Sequence, residues 1–202
     1  MKDVLVIGGP NGAGKTTAAN RLVPITLGLR EFLNADEIAR GLSPFDPEGN
    51  AVAAGRLMLH RIDELLAAGQ SFAFETTCAG HRQAKLLRSC RAAGYRVTFV
   101  FLWLPSAQMA ISRVAQRVAH GGHHIPDDVI IRRYAAGLYN MWHALLPLAD
   151  TARIYDNSGE SPVLIAEKSP DVALLVHETE RWRLIEEATR EELHGRTTRR
   201  AD

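Results

Sequence analysis

Residues 8–17 read GGPNGAGKTT, four glycines and one lysine in ten positions, and within them Gly9, Gly14, Lys15 and Thr16 satisfy the pattern G-x-x-x-x-G-K-S/T. Backbone free of side chains can curl so that successive N–H groups line an anion-sized hollow at the start of the next helix. Phosphate is the natural guest of such a hollow. Lys15 then reaches the β and γ phosphates as a point charge, and the Thr16 hydroxyl is a hard oxygen ligand for Mg2+. The expected seat of a nucleoside triphosphate is Gly9, Pro10, Asn11, Gly12, Ala13, Gly14, Lys15, Thr16 and Thr17, with Thr16 on the metal.

Other polar groups stand where apolar runs give out. EFLNADEIAR delivers Asn34 and Asp36. A carboxylate there can accept the proton of a substrate hydroxyl or hold a metal-bound water, while the plainer use of either residue is to cap a helix beginning at Glu37. FAFETT ends in Glu75, Thr76 and Thr77, suited to binding a polar substrate or Mg2+ through water, or simply to capping the next helix, and Cys78 follows as a cleft residue or a buried filler. From His81 to Arg133 nine basic residues face two acids, Asp127 and Asp128, whereas Glu31 to Gly80 carries eight acids and three arginines. Within the basic half, Arg113 and Arg117 share a helix face, a Gly-Gly break follows, and a second helix opened by Pro126, Asp127 and Asp128 carries Arg132 and Arg133, an arrangement expected of a lid whose arginines balance charge on a phosphoryl group. Because Arg132 and Arg133 are adjacent, at most one is expected to face the site. His120, His123 and His124 are not read as a zinc site, since no cysteine or carboxylate completes a set nearby. Asn157 and Ser158 are placed beside the adenine by position alone.

These residues need a frame. VLVIGG, EFLNA (31–35), SFAFETT (71–77), RVTFVFLWL (96–104) and TARIYDNS (151–158) read as strands, and helix-length segments separate them at 51–69, 81–93, 106–120 and 127–146. Such alternation predicts a doubly wound parallel sheet whose ligands gather at the carboxyl ends of its strands. A last strand is expected at 162–168, a charged amphipathic helix near 177–193, and a frayed end in HGRTTRRAD. At 202 residues the default is one domain. Lys plus Arg number 24 against 23 Asp plus Glu, so global charge argues for neither nucleic acid nor an acidic membrane as partner. No run approaches the roughly 20 apolar residues of a membrane span, and the expectation is a protein of the reducing cytoplasm.

The combination of GGPNGAGKTT, NADEIARGLSP, SFAFETT, FLWLPS, RVAQRVAHGGHHIPDDVIIRRY and YDNSG resembles the zeta-toxin-like branch of the P-loop kinases, which includes UDP-N-acetylglucosamine kinases. The resemblance spans residues 1–160 and implies an α/β, three-layer P-loop NTPase fold with a five-stranded parallel sheet, helices on both faces, and the helical lid of a nucleoside-monophosphate-kinase-like enzyme at about 113–133. Residues 161–202 become a C-terminal appendage and frayed tail. It implies ATP and Mg2+, a small-molecule acceptor such as UDP-N-acetylglucosamine or a related aminosugar compound, and room for a small helical antitoxin as partner. By position, Asp36 matches the general base, Lys15 the phosphate-binding lysine, Glu75 to Thr77 the acceptor-binding motif, and Arg117 one lid arginine. Where toxin members carry a second arginine before the lid proline, this chain has His123 and His124 before Pro126, so Arg132 or Arg133, with Arg133 the assigned candidate, must reach in or a histidine takes its post. The competing reading is a regulatory ATPase switch with no acceptor.

Overall fold

A computed structural model describes residues 2–26 and 29–198. Strand β1 (Lys2–Gly8) is buried from Val4 onward, as a central strand covered on both faces must be. Its side chains alternate between two cores. Val4 and Val6 meet Phe72, Phe74, Phe99 and Phe101, while Leu5 and Ile7 meet Ala73, Val100 and Leu102 on the opposite face. The partners are β3 (Phe72–Thr76) and β4 (Tyr95–Trp103), both parallel to β1. A two-residue β2 (Phe32–Leu33) adds to β3, and β5 (Thr151–Asp156) adds to β4, again in parallel.

Helices cover both faces. On the Leu5 face lie α1 (Lys15–Thr26), α5 (Ala107–Ala119) and the start of α6 (Asp127–Asn140), through Ala19, Ala110, Val114 and Ile130. The Val4 face takes α3 (Ala51–Ala67) through Met58, Ile62 and Leu65, and α4 (Arg82–Ala92) through Leu87 and Cys90. The chain continues past α6 through a wide five-residue turn, Met141–Leu145, whose Met141 and Leu145 join the same core. Among the described residues no helix is long and apolar enough to cross a membrane.

The sheet departs from the five-stranded expectation. Among the described residues it has seven strands in the order β2-β3-β1-β4-β5-β6-β7; beyond the five parallel ones, β6 (Val163–Ser169), where a last strand is expected over 162–168, and β7 (Val172–Val176) run antiparallel around a Pro170–Asp171 turn. The run VALLV is apolar throughout and so carries no period-2 alternation, and a five-residue apolar run is equally compatible with a helix segment. The strand expected over 31–35 is shorter than its sequence suggests. Asn34 ends it and caps α2 (Ala35–Leu42), which therefore begins two residues before Glu37. The last helix, α7 (Thr179–Thr198), continues through residues 194–198, where fraying is expected, and residues 199–202 lie outside the described residues.

Helix α7 docks through Ile185, fully buried, and Trp182, whose ring centroid is 4.8 Å from that of Trp142. Trp182→Ala is expected to cost about 3 kcal/mol in urea unfolding, the range for deleting a large buried aromatic. A loss below about 1 kcal/mol would mean that α7 is not part of the cooperative unit.

Candidate active site

Beyond Gly8 the chain must turn sharply between the ends of β3 and β4. Gly9 has φ +148° and its N–H donates to the Thr76 carbonyl at 3.2 Å; a Cβ at that position would meet the Leu102 carbonyl oxygen. Gly12, at φ +75°, sits against Arg113 of α5, with a Cβ there only 2.9 Å from the arginine's own Cβ. Both positions require glycine, for conformation and for space.

Lys15, the first residue of α1, is 7% exposed. Its Nζ donates to the Pro10 carbonyl at 2.8 Å and lies 3.8 Å from Oε1 of Glu75. Burial pushes the ammonium below its ordinary pKa, an effect that the negative charges of Glu75 and then Asp36 oppose. Burial likewise raises the Glu75 carboxyl, against the Lys15 charge and the Thr16 hydroxyl. That hydroxyl donates to Oε2 of Glu75 at 2.9 Å. Asn34 completes the cluster from the other strand. Its Nδ2 donates to Oε2 of Glu75 at 3.0 Å while its Oδ1 accepts from the N–H of Asp36 at 2.8 Å. One amide thus caps α2 and steadies the carboxylate.

These residues fit a triphosphate and its metal. The loop has the left-handed glycines of an anion hollow, a buried cation lies beneath it, and Oδ1 of Asn11, a residue 4% exposed, has no hydrogen-bond partner among the described residues. The Thr16 hydroxyl and the Glu75 carboxylate, side by side, are the hard oxygen donors that Mg2+ takes. Thr17 is exposed on the next position of the helix.

A cleft of about 660 Å3 opens beside this cluster, lined on its polar side by Asn11, Lys15, Asn34, Asp36, Glu75, Thr76 and Thr77, and farther out by Val52, Met58, Leu59, Ile62 and Leu86. Its volume is that of a site for a drug-sized metabolite. Asp36 stands at the rim on the first turn of α2, exposed, and its charge is felt by Lys15 and by His123. Thr76 is less free than its position suggests, since its Oγ1 accepts from the Cys78 N–H at 3.0 Å and from Gln83 at 3.2 Å. Arg132 and Arg133, neighbours on α6, both line the cleft, contrary to the expectation that one would turn away.

The other basic residues divide. Nη2 of Arg117 donates to the His123 carbonyl at 3.2 Å, and its charge helps lower the pKa of Lys15. His123 is itself held low, by burial first, with Asp36 opposing; it lines a second pocket of about 190 Å3 that shares Asp36 and Arg133 with the main cleft. His120 turns back to the Gln116 carbonyl of its own helix. Arg113 points elsewhere, donating to the carbonyls of Asn157 and Ser158, both at 2.7 Å. Asn157 in turn donates from Nδ2 to the Ala13 carbonyl at 2.7 Å, so it braces the glycine loop directly. Sequence spacing does not reveal this brace; its one visible trace is the polar run DNS directly after an apolar strand.

Comparisons with known proteins bear on the fold that carries these residues. The family model AAA_33, an AAA domain, matches residues 4–136. An uncharacterized protein of Haemophilus influenzae is 25% identical over 134 residues, covering 62% of this chain and 88% of that protein. Among solved structures, a chain of the AvrRxo1-ORF1:ORF2 complex with ATP superposes with a TM-score of 0.73 at 16% identity over 92% of this chain. This chain spans 63% of that one. The PezAT toxin-antitoxin system of Streptococcus pneumoniae contributes a second, with a TM-score of 0.60, 16% identity, and coverage of 96% of this chain and 88% of that one. The likeness establishes a P-loop kinase-like α/β fold.

Cys78 lies under the glycine loop, fully buried, at φ 60°, and burial pushes its thiol up to about 12, while that of Cys90 rises to about 11. Neither thiol is expected to react with a disulfide reagent at pH 8 until the protein unfolds. Rapid labelling of the native protein would contradict the burial of this segment.

Proposed function

The chain belongs to the AAA-domain family AAA_33, and we propose that it is an ATP-dependent kinase that phosphorylates a hydroxyl of a small polar metabolite, with UDP-N-acetylglucosamine or a related aminosugar compound as acceptor. The observation that carries this reading is the join between two sites. The Lys15, Thr16 and Glu75 cluster opens directly into a cleft large enough for a metabolite, and Asp36 stands where the two meet. A switch that only hydrolyses nucleotide has no use for such a cleft.

ATP with Mg2+ supplies the electrophilic γ-phosphoryl group. The loop N–H groups and Lys15 hold the phosphates, and Thr16 with Glu75 holds the metal. Asp36 accepts the proton as the acceptor oxygen forms its bond to phosphorus, and the bond to the ADP oxygen breaks in line. Helices α5 and α6 with the segment between them act as the lid, bringing Arg117, Arg132 and Arg133 toward the charge on the phosphoryl group. The acidic and basic halves of the sequence thereby take opposite duties. The apolar outer wall, with Arg56 and Arg82 beside it, suits an acceptor that has a flat ring and an anionic part. The likeness to a chain from a toxin-antitoxin system supports a small protein partner of the antitoxin kind.

The test is transfer of label from γ-labelled ATP to a panel of sugar nucleotides, nucleosides and aminosugars. Asp36→Asn is expected to keep ATP binding while kcat falls by about 100-fold to 10,000-fold, the usual worth of a general base. Lys15→Ala should abolish transfer. Unchanged turnover in Asp36→Asn would remove Asp36 as the base, and label released only as free phosphate with every acceptor would favour the ATPase switch.

A further inference from the structure

The C-terminal helix lies outside the residues that the family model matches, and the kinase reading gives it no task. One of its side chains nevertheless reaches the nucleotide side of the sheet. Nε of Arg181 donates to Oδ2 of Asp156, the last residue of β5, at 2.8 Å. Asp156 is a buried acid, its side chain 7% exposed, and its other oxygen accepts the Ser158 N–H at 2.8 Å. The carboxylate therefore fixes the turn that carries Asn157, and Asn157 holds the Ala13 carbonyl of the glycine loop at 2.7 Å. Arg113 clasps the same turn from α5.

We propose that Arg181 is a positioning residue for the triphosphate site, acting through Asp156 and Asn157 on the glycine loop; the inference rests on the reading that the loop binds ATP. Two physical effects run in the same direction. A buried carboxylate keeps its charge and orientation only while a cation satisfies it. Without the guanidinium, the Asp156 side chain is free to swing toward water, which loosens its hold on the Ser158 N–H. The same carboxylate, left unbalanced next to the turn that braces the loop, repels an incoming polyanion. Glu178, directly before the helix, also accepts from the guanidinium. Docking of α7 does not depend on Arg181, because Trp182 and Ile185 already bury the helix against the sheet. Loss of Arg181 should thus register in nucleotide affinity more than in stability.

The experiment titrates MgATP into the full chain by calorimetry, for the unsubstituted protein, Arg181→Gln, Arg181→Lys and the double variant Arg181→Gln with Asp156→Asn, with thermal unfolding measured in parallel. Arg181→Gln is expected to weaken ATP about tenfold, within the usual range of coupling between sites, with a small change in Tm. Arg181→Lys, which restores the charge without the fork, should fall between the two. The double variant should regain affinity, because a neutral amide at 156 needs no counter-charge and repels no phosphate. Arg181→Gln that binds ATP within about twofold of the unsubstituted chain would overturn the proposal, since any real coupling exceeds that. So would a double variant weaker than the single one, which would mark Arg181 as a helix anchor alone. If Arg181→Gln does not fold, the ordering of the unsubstituted chain and Arg181→Lys decides, equal affinities overturning the role of the fork. Failure of the unsubstituted chain to bind ATP would instead sink the kinase reading itself, and this role with it.

Discussion

Everything at the site depends on keeping the Lys15 ammonium charged after water has been taken from it. A buried cation is costly unless something answers its charge. Here the answer is Glu75 at the end of β3, and Glu75 is equally buried, so it needs further donors. The Thr16 hydroxyl and the Asn34 amide supply them, from α1 and from the end of β2. Four residues, two from the start of α1, one from the end of β3 and one from the junction of β2 with α2, must therefore be brought to the same few ångströms. A parallel sheet whose strands all finish at one edge does this without long loops, and for that reason the polar groups lie at strand ends while the strands themselves are apolar.

The same constraint accounts for the neighbouring asymmetry of charge. The carboxylates at the end of β3 and the start of α2 concentrate negative charge on one side of the glycine loop, while α5 and α6 bring arginines from the other. Burial does most to lower the pKa of Lys15, and the charge of Arg117 acts in the same direction.

Much of this was legible in the chain. The spacing of Gly9, Gly14, Lys15 and Thr16 located the loop, and apolar runs ending in Asn34, Asp36 and Glu75 located its neighbours, because strand periodicity and helix starts are local properties. What remained hidden is what depends on which distant segments meet. Arg113 reads as a phosphate ligand from its place on α5, yet it binds the carbonyls of residues more than forty positions away. Asn34 reads as either a cap or a ligand; its Oδ1 caps α2, while its Nδ2 turns to the Glu75 carboxylate. The pairing of Asp156 with Arg181 joins a strand to a helix across the β6–β7 hairpin, and no short-range pattern encodes it. VALLV concealed the seventh strand because five apolar residues in a row show no alternation that would mark it.

The hairpin of β6 and β7 also changes where the molecule opens first. In a five-stranded sheet β5 would be the rim, and the turn that braces the glycine loop would sit on the segment most prone to peel away. With β6 and β7 outside it, β5 is flanked on both sides, and the exposed Val172 and Leu175 mark β7 as the less tightly held border. Transient opening at that rim, which sheets undergo more readily than in their centres, can run its course on β7 and leave the nucleotide-binding face intact. The extra pair of strands behaves as a sacrificial margin.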